Sequence, residues 1–202
     1  MKEGKLFVIS GPSGAGKGTI CKQILRETDA SSSRAKLSIS MTTRSPRPGE
    51  VDGVSYYFTD RAHFEAAIAR DEFLEYADVY GNYYGTPRRY VSEMLANGED
   101  VVLEIDVQGA LQVKQRFAEA ILIFILPPSL EVLQQRLVGR GTDAADVIAK
   151  RMDNALSEIK VIEQYDYYVI NDNLEEATAK VNTIITAEHQ KVDADVIKNY
   201  NI

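Results

Sequence analysis

A glycine-rich stretch near the N-terminus has residue types and spacing suited to holding phosphate groups. The stretch is Gly11-Pro12-Ser13-Gly14-Ala15-Gly16-Lys17-Gly18-Thr19, and it lies between the apolar run Leu6-Phe7-Val8-Ile9 and a segment with helical periodicity. Glycine allows the positive φ angles with which a backbone curls around an anion. The N–H groups of such a turn and the N-terminus of the following helix both attract phosphate. Lys17 adds a mobile cation for β- and γ-phosphates. The stretch predicts a phosphate-binding loop; the alternative is a glycine-rich turn that binds no nucleotide.

The residue after the loop lysine departs from the common pattern G-x-x-x-x-G-K-[ST]. Gly18 stands where a hydroxyl is expected, and Thr19 comes one position later. In many such loops that hydroxyl coordinates Mg²⁺ directly. Thr19 is therefore the candidate metal ligand of the loop, and direct coordination by the loop stays open.

A second polar segment carries two arginines between prolines, in Thr42-Thr43-Arg44-Ser45-Pro46-Arg47-Pro48-Gly49-Glu50. The prolines and the glycine rule out regular structure, so Arg44 and Arg47 are held on a loop with restricted backbone freedom. Two pre-ordered guanidinium groups suit a phosphate monoester, whose oxygens match planar donor forks. The segment predicts a second phosphate site; a solvated basic loop is the alternative.

Two acidic residues end an apolar strand, Val101-Val102-Leu103-Glu104-Ile105-Asp106. In doubly wound parallel sheets, ligands lie at the carboxyl ends of the strands. Asp106 is therefore predicted to hold Mg²⁺ or its waters opposite the phosphate loop, and Glu104 lies two residues earlier on the same face. The alternative for each acid is a structural partner, either a helix N-terminus or an arginine.

Further arginines follow a strand that ends at Pro127-Pro128. Arg136 and Arg140 are four residues apart and therefore share one face of a helix that Ser129 caps. Arg151 belongs to the next helix. Such arginines are usually solvated, but beside a nucleotide site they are candidates for neutralising charge on a phosphoryl group in transfer.

The order of elements predicts an α/β fold. Apolar strands alternate with helices, which indicates a parallel sheet of the P-loop NTPase type with helices on both faces. A small mixed α+β insertion and a short helical lid interrupt this core. We expect the core in residues 1–39, 97–128 and 146–202, the insertion in 40–96 and the lid in 129–145.

Inside the insertion, Asp60 is predicted to cap a helix, and Phe73 to Tyr80 forms a strand that contains Glu75. Gly81-Asn82-Tyr83-Tyr84-Gly85 is expected to be a turn. Thr86 is predicted as the N-cap of a helix with Pro87 at its first position, and that helix is expected to end at Asn97-Gly98.

Composition excludes several classes of function. The 202 residues are 45% apolar and carry a net charge of −7, which argues against a general nucleic-acid surface. The single Cys21 cannot form an intramolecular disulfide, suits a reducing compartment and is predicted to be a packed core thiol. No apolar run is long enough for a membrane span. These features predict a cytoplasmic protein with no membrane or nucleic-acid partner.

Several segments, taken together and in this order, resemble guanylate kinases. They are Gly11 to Thr19, Ser40-x-x-x-Arg44-x-x-Arg47-x-Gly49-Glu50, Gly81-Asn82-Tyr83-Tyr84-Gly85-Thr86, Glu104-Ile105-Asp106-Val107-Gln108-Gly109 and Arg136-x-x-x-Arg140-Gly141-Thr142. The resemblance runs over nearly the whole chain. It implies phosphorylation of GMP to GDP by Mg-ATP in purine nucleotide metabolism, with dGMP as a further expected acceptor.

The resemblance also implies roles for individual residues. The GMP phosphate is assigned to Ser40, Arg44, Arg47, Tyr56 and Tyr84, and the guanine to Glu75, Thr86 and Glu104. Asp106 would order Mg²⁺ waters, and Arg136, Arg140 and Arg151 would close on the phosphates. ATP would occupy the loop Gly11 to Thr19 and contact Asn171, and catalysis would rest on Lys17, Arg44 and the three later arginines.

The chemistry of guanine agrees with this assignment. Guanine presents N1–H and N2–H₂ as parallel donors, which the Glu75 carboxylate can accept together. Adenine has an acceptor at N1 and would lose the paired hydrogen bond. In many relatives position 104 is Asp, so the longer Glu104 leaves the geometry at the base open.

Two other functions compete with this interpretation. One is a non-catalytic guanylate-kinase-like module that binds peptides; such modules typically lose phosphate-loop residues, whereas this chain keeps Lys17 and the glycines. The other is a related kinase for another phosphorylated ribose compound, against which Glu75, Thr86 and Glu104 argue. The sequence leaves open whether the chain forms a homo-oligomer.

Overall fold

Strands and helices alternate along most of the chain. The computed structural model describes residues 3–30, 35–79, 81–139 and 145–192. The strands are β1 (Leu6–Ser10), β2 (Lys36–Leu37), β3 (Met41–Thr42), β4 (Tyr57–Phe58), β5 (Phe73–Val79), β6 (Asn82–Pro87), β7 (Val101–Glu104), β8 (Ile121–Leu126) and β9 (Tyr167–Ile170). The helices are α1 (Lys17–Ala30), α2 (Arg61–Ala69), α3 (Arg88–Ala96), α4 (Val107–Arg116), α5 (Leu130–Val138), α6 (Ala145–Ile159) and α7 (Leu174–His189), with a 3₁₀ turn at Ile162–Gln164. This alternation confirms the predicted α/β class.

The core is a five-stranded parallel sheet in the order β2-β7-β1-β8-β9. Every residue of β1 is buried, as are the first five of β8. Burial on both faces explains why these strands are continuous apolar runs without polar alternation. The carboxyl ends of β1 and β7 lie side by side, with Ile9 paired to Glu104. The phosphate loop after β1 therefore lies next to the acidic end of β7.

Helices cover both faces of this sheet, as predicted. On one face, Ile20 and Ile24 of α1 pack with Val181 and Ile185 of α7 against the strands. On the other face, the apolar sides of α3 and α4 pack against Leu6, Leu103 and Leu122. Cys21 belongs to the first of these clusters and is buried, as predicted for a core thiol.

A second sheet, of four strands in the order β4-β3-β6-β5, lies between residues 41 and 87. It is mixed, because β3 pairs parallel to β4 and antiparallel to β6, while β5 and β6 are antiparallel. Its own small core contains Phe64 of α2, whose ring stacks on Phe73 at 4.4 Å and on Tyr83 at 5.2 Å. The insertion therefore has a sheet and an apolar centre of its own.

A fourth apolar cluster joins α5 and α6 through Leu133, Leu137 and Ala155. The two leucines also contact the phosphate loop, because a Cβ on Gly14 would lie 3.0 Å from Leu133 Cδ1 and 3.2 Å from Leu137 Cδ2. Helix α5 is thus packed directly on the loop that precedes α1.

Several predicted helix ends are confirmed by their capping bonds. The Asp60 carboxylate accepts a hydrogen bond from the His63 amide, and the Ser129 hydroxyl accepts one from the Val132 amide. Helix α3 ends at Asn97, and Gly98 follows with φ of 78°. These local signals were sufficient because each cap satisfies backbone groups within its own turn.

The segment around residues 81–87 was predicted wrongly. Instead of a tyrosine-rich turn followed by a cap, Asn82–Pro87 forms strand β6. Thr86 therefore is not an N-cap; Pro87 has that position and makes no side-chain capping bond. The reason is tertiary, because β6 is held between β5 and β3, whose pairings cannot be seen in the local sequence.

No helix in the described ranges is long and apolar enough to cross a membrane.

Candidate active site

The loop between β1 and α1 has the backbone geometry of an anion cradle. Gly11, Gly14 and Gly16 have φ angles of 137°, 93° and 94°, a region that other residues rarely adopt. A Cβ on Gly11 would lie 2.3 Å from the Ile125 carbonyl oxygen, and one on Gly16 would lie 2.3 Å from Asn171 Nδ2. Conformation and close approach both require glycine here. The loop leads directly into the first turn of α1.

The Lys17 ammonium lies over this loop. Its Nζ donates hydrogen bonds to the carbonyl oxygens of Gly11 and Pro12, at 2.6 and 3.1 Å. Burial lowers the pKa of Lys17, and the negative charges of Glu104 and Glu158 act in the opposite direction. A cation with few waters and several nearby oxygens is well placed to exchange these partners for phosphate oxygens.

A cavity of about 320 Å³ opens beside the loop. It is lined by Gly14, Gly16, Thr19, Arg136, Asn171, Asp172 and Leu174. Asn171 is buried and its Nδ2 donates to the Ala15 carbonyl at 2.8 Å, while Arg136 donates to the Asn171 carbonyl at 2.9 Å. The predicted ATP residue Asn171 and the predicted catalytic residue Arg136 thus form one wall of a cavity that adjoins the phosphate loop. Asp172 and Leu174 were not predicted to belong to it.

The two acids at the end of β7 lie in different surroundings. The Glu104 carboxylate lies beside the phosphate loop, because a Cβ on Gly18 would be 2.9 Å from Glu104 Oε1. Partial removal from water raises the pKa of Glu104, and Lys17 opposes this effect. Asp106 is the N-cap of α4, and its Oδ1 accepts from the Gly109 amide at 2.8 Å. One oxygen of Asp106 therefore has the structural role named above as the alternative, because it accepts a hydrogen bond from a helix N-terminus.

One arginine of the loop, Arg44, contacts two tyrosines. Arg44 Nε donates to the Tyr84 hydroxyl at 3.2 Å, and the guanidinium carbon lies 5.4 Å from the centre of the Tyr56 ring. Glu50 holds the loop in shape: Oε1 accepts from Arg44 at 2.8 Å and Oε2 accepts from the Arg47 amide at 2.7 Å. The Arg47 side chain is exposed. Arg44, Tyr56 and Tyr84 form a preassembled group of donors.

Ser40 lies next to this group, immediately before β3. Its carbonyl oxygen accepts from the Tyr57 amide at 2.9 Å, which ties the start of β3 to β4.

Glu75 and Thr86 form a buried pair between β5 and β6. The Thr86 hydroxyl donates to Glu75 Oε1 at 2.6 Å, and Glu75 is only 4% exposed. Burial raises the pKa of Glu75 to about 7, against the effect of the Thr86 hydrogen bond, and the nearby Asp106 charge raises it further. Each carboxylate oxygen can accept two hydrogen bonds, so the bond from Thr86 leaves acceptor capacity on both oxygens for a pair of N–H donors.

The three later arginines have different positions. Arg136 lies in the last turn of α5 and contacts the cavity wall, whereas Arg151 is a half-buried residue of α6. Arg140 lies outside the described residues.

The acids at the end of β7 act on both groups of side chains. The charge of Asp106 acts on both Lys17 and Glu75. Burial raises the pKa of Tyr56, and Glu104 is among the charges that add to this rise. The end of β7 is therefore near the phosphate loop and near the tyrosine and carboxyl groups of the insertion.

The fold and this cleft define a class of protein. A phosphate loop with a cavity beside it, together with a preassembled group of arginine and tyrosine hydrogen-bond donors and a buried carboxyl, is the arrangement of a phosphate-loop enzyme that transfers a phosphoryl group between two bound nucleotides.

Comparisons with known proteins identify the family. The family model described as guanylate kinase matches residues 3–188. The guanylate kinase of Carboxydothermus hydrogenoformans is 54% identical over 191 residues, covering 95% of this chain and 92% of that protein. That of Halalkalibacterium halodurans is 49% identical over 201 residues, covering 100% and 97%. A crystal structure of guanylate kinase from Anaplasma phagocytophilum superimposes with a TM-score of 0.77 at 32% identity, covering 95% of this chain and 89% of that one. The chain belongs to the guanylate kinase family.

Sequence reasoning missed residues that support the site from a distance. Glu50 was noted only as part of a pattern, and Glu158 of α6, whose charge acts on Lys17, was not noted at all. A carboxylate three residues after one loop arginine and six after the other is a signal that could have indicated Glu50. Nothing local to Glu158 indicates its approach to the phosphate loop, because that approach depends on the packing of α6.

Proposed function

We infer that this chain is a phosphotransferase that catalyses ATP + GMP = ADP + GDP. The observation that carries the inference is the buried Glu75–Thr86 pair, which occurs together with an intact phosphate loop in a member of this family. The loop is suited to binding the phosphates of a nucleoside triphosphate. The pair is suited to accepting hydrogen bonds from the guanine of the second substrate. The peptide-binding alternative gains no support from a chain that keeps Lys17 and three cradle glycines.

Specificity for guanine is proposed to rest on Glu75. The carboxylate would accept N1–H and N2–H₂ of the base while Thr86 fixes its other lone pairs. A site built to satisfy two donors discriminates strongly, by about 10⁴-fold in favourable cases, because an analogue that lacks the donors leaves a buried charge without partners.

The GMP phosphate is proposed to bind among Ser40, Arg44, Arg47, Tyr56 and Tyr84. Arg44 needs little rearrangement, because Glu50 and Tyr84 already hold its guanidinium. Arg47 is the more mobile of the two arginines, since its side chain is exposed. The first arginine would define the position of the phosphate, and the second would close on it.

The residues near the loop fit a magnesium ion that is held mainly by phosphate oxygens and water. Glu104 and Asp106 offer carboxylate oxygens, and the described residues contain no cluster of three or more acidic, histidine or cysteine ligands. The position of Glu104 against Gly18 favours a role with the metal waters over a role with guanine. Thr19, which lines the adjoining cavity, remains the loop candidate for a ligand. When bound, the ion would neutralise charge on the transferring phosphates.

Catalysis is proposed to be direct in-line transfer, with positioning and charge neutralisation as the main contributions. Lys17 and Arg136 would approach the donor phosphates, and Arg151 and Arg140 would join them from α6 and the segment before it. Arg44 would hold the acceptor phosphate in line.

Three functional regions are proposed. Residues 1–39, 97–128 and 146–202 would form the ATP-binding core, 40–96 the GMP-binding region and 129–145 a lid. The separate four-stranded sheet supports the division between the core and the GMP-binding region. Closure of two regions over the core would exclude water, which otherwise hydrolyses the donor.

The direct test is ADP release from Mg-ATP with GMP, dGMP, IMP, AMP, CMP and UMP as separate acceptors. Strong turnover with GMP and dGMP and little with AMP is expected. Turnover with a different phosphorylated ribose compound instead of GMP would contradict the guanine assignment. No turnover with any acceptor, from folded protein, would favour the peptide-binding module.

A further inference from the structure

The N-terminal turn of α4 lies directly against the guanine-binding carboxylate. An ideal Cβ built on Gly109 would be 2.6 Å from Glu75 Oε2 and 3.2 Å from Glu75 Cδ, and it would also be 3.4 Å from Ile105 Cδ1. Contacts below 3.0 Å require something to shift. Any side chain at position 109 would therefore displace the carboxylate that faces it.

Glycine at this position is not explained by backbone conformation. Gly109 lies inside α4 and is not among the residues with positive φ. Gly109 is the third residue of α4, and alanine has the higher helix propensity of the two residues. A residue that weakens its own helix without a conformational reason indicates a close approach, and the close approach here is that of Glu75.

Strand β5 cannot move away to relieve such a contact. Gln112, one turn further along α4, donates to the Tyr76 carbonyl at 3.0 Å and accepts from the Tyr76 amide at 3.3 Å. Arg116 donates to the Phe73 carbonyl at 2.8 Å. These bonds fix the backbone on both sides of Glu75, so the carboxylate is held between Thr86 and the first turn of α4.

We propose that Gly109 is a positioning residue for base specificity: by presenting only hydrogen, it lets the Glu75 carboxylate lie against α4 in the orientation that binds N1–H and N2–H₂ of guanine together. This proposal rests on the proposed role of Glu75. A Cβ at position 109 would turn the carboxylate away from the plane of the base while leaving the phosphate loop and the arginine group unchanged.

The test compares Gly109→Ala with Gln115→Ala, a control at an exposed position of the same helix. The measured quantity is the ratio of kcat/KM for GMP to that for IMP, which lacks the 2-amino donor. We expect Gly109→Ala to lower this ratio about tenfold or more, mainly through the KM for GMP, because one of the two paired hydrogen bonds is lost. ATP affinity and the ratio for Gln115→Ala should match the unsubstituted protein.

Glu75→Gln distinguishes failure of this proposal from failure of the proposed function. If Glu75→Gln lowers the GMP-to-IMP ratio and Gly109→Ala does not, the role of Gly109 is wrong. If Glu75→Gln leaves the ratio unchanged, the guanine assignment itself is wrong.

A shorter acid provides a second test that does not depend on the folding of Gly109→Ala alone. In a Glu75→Asp background the carboxylate is withdrawn by one methylene from position 109, so adding Gly109→Ala should change selectivity by less than about threefold. A further large loss in the double variant, or its failure to fold when Glu75→Asp folds, would show that the Cβ acts elsewhere and would overturn the proposal.

Discussion

Replacing Glu75 by glutamine should have opposite effects on folding stability and on GMP binding. The carboxyl is 4% exposed, and burial raises its pKa from the ordinary 4.5 to about 7. At about 1.4 kcal/mol for each tenfold change in proton affinity, the ionised carboxylate costs the ligand-free fold about 3 kcal/mol relative to a solvated one. Glutamine keeps the shape and the acceptor for Thr86 without the charge.

The direction of the pH dependence follows from the raised pKa. The stability that this group contributes is fully present below pH 4.5 and is lost as the pH rises through about 7. Between about pH 5 and about pH 8, the free energy of unfolding of the unsubstituted protein should fall by about 2–3 kcal/mol more than that of Glu75→Gln. Urea unfolding of the ligand-free proteins, followed by circular dichroism, measures the difference. Any constant cost of the amide cancels between the two pH values.

The exposed Glu119 supplies the control. The free energy of unfolding of Glu119→Gln, plotted against pH, should run parallel to that of the unsubstituted protein. If the Glu75→Gln curve is parallel as well, the carboxyl is not the buried, proton-retaining group that the structure indicates, and the reasoning is refuted.

GMP binding should change in the other direction. An amide cannot accept both N1–H and N2–H₂, so the GMP Kd of Glu75→Gln should rise about 100-fold, from the loss of a hydrogen bond to a charged group in a buried site. In the unsubstituted protein the carboxyl must be ionised to accept both donors. GMP affinity should therefore weaken about tenfold per pH unit below the pKa of about 7. Calorimetric titration at several pH values tests both statements, and an unchanged Kd in the variant would contradict the base assignment.

Three further perturbations address the other parts of the cleft. Lys17→Ala should reduce kcat by at least about 10³-fold while leaving the GMP Kd within about threefold, and normal turnover would remove the phosphate loop from the mechanism. Glu50→Gln should raise the KM for GMP about tenfold because Arg44 loses its charged partner, whereas Glu65→Gln, which breaks an exposed pair with a neighbouring helix residue, should leave it unchanged. Asn171→Ala should raise the KM for ATP about tenfold and spare that for GMP, since it removes a buried hydrogen bond to the loop; equal effects on both substrates would contradict the assignment of that cavity to ATP.

The parts of the fold that could be predicted are those fixed by short-range chemistry. The apolar runs of β1 and β8 allow only buried strands, and Asp60 and Ser129 mark helix starts because each satisfies amides within one turn. Strand β6 could not be predicted in the same way. Its glycines and tyrosines resemble a turn locally, and only the antiparallel partners on both of its sides make it a strand.

The candidate site shows the same division. The phosphate loop is contiguous in sequence, so its spacing alone identifies it. The proposed base acceptor combines three separated elements: Glu75 on β5, Thr86 on β6 and Gly109 on α4. The first two could be assigned by resemblance, but the approach of Gly109 appears only when α4 and β5 are packed together.

The charges of the cleft explain why the ligand-free site should be a costly part of the fold. Burial raises the pKa of Glu75 and lowers that of Lys17, so each charged form is less stable here than in water. Under the proposed function a substrate supplies a further partner to each group: N–H donors to the acid, and phosphate oxygens to the ammonium. Binding should then restore what folding has lost, and the protein should gain more thermal stability from GMP with an ATP analogue than from either alone. A shift no larger than that from one ligand would mean that the two ligands do not bind at the same time, which would contradict the proposal that one group serves each substrate.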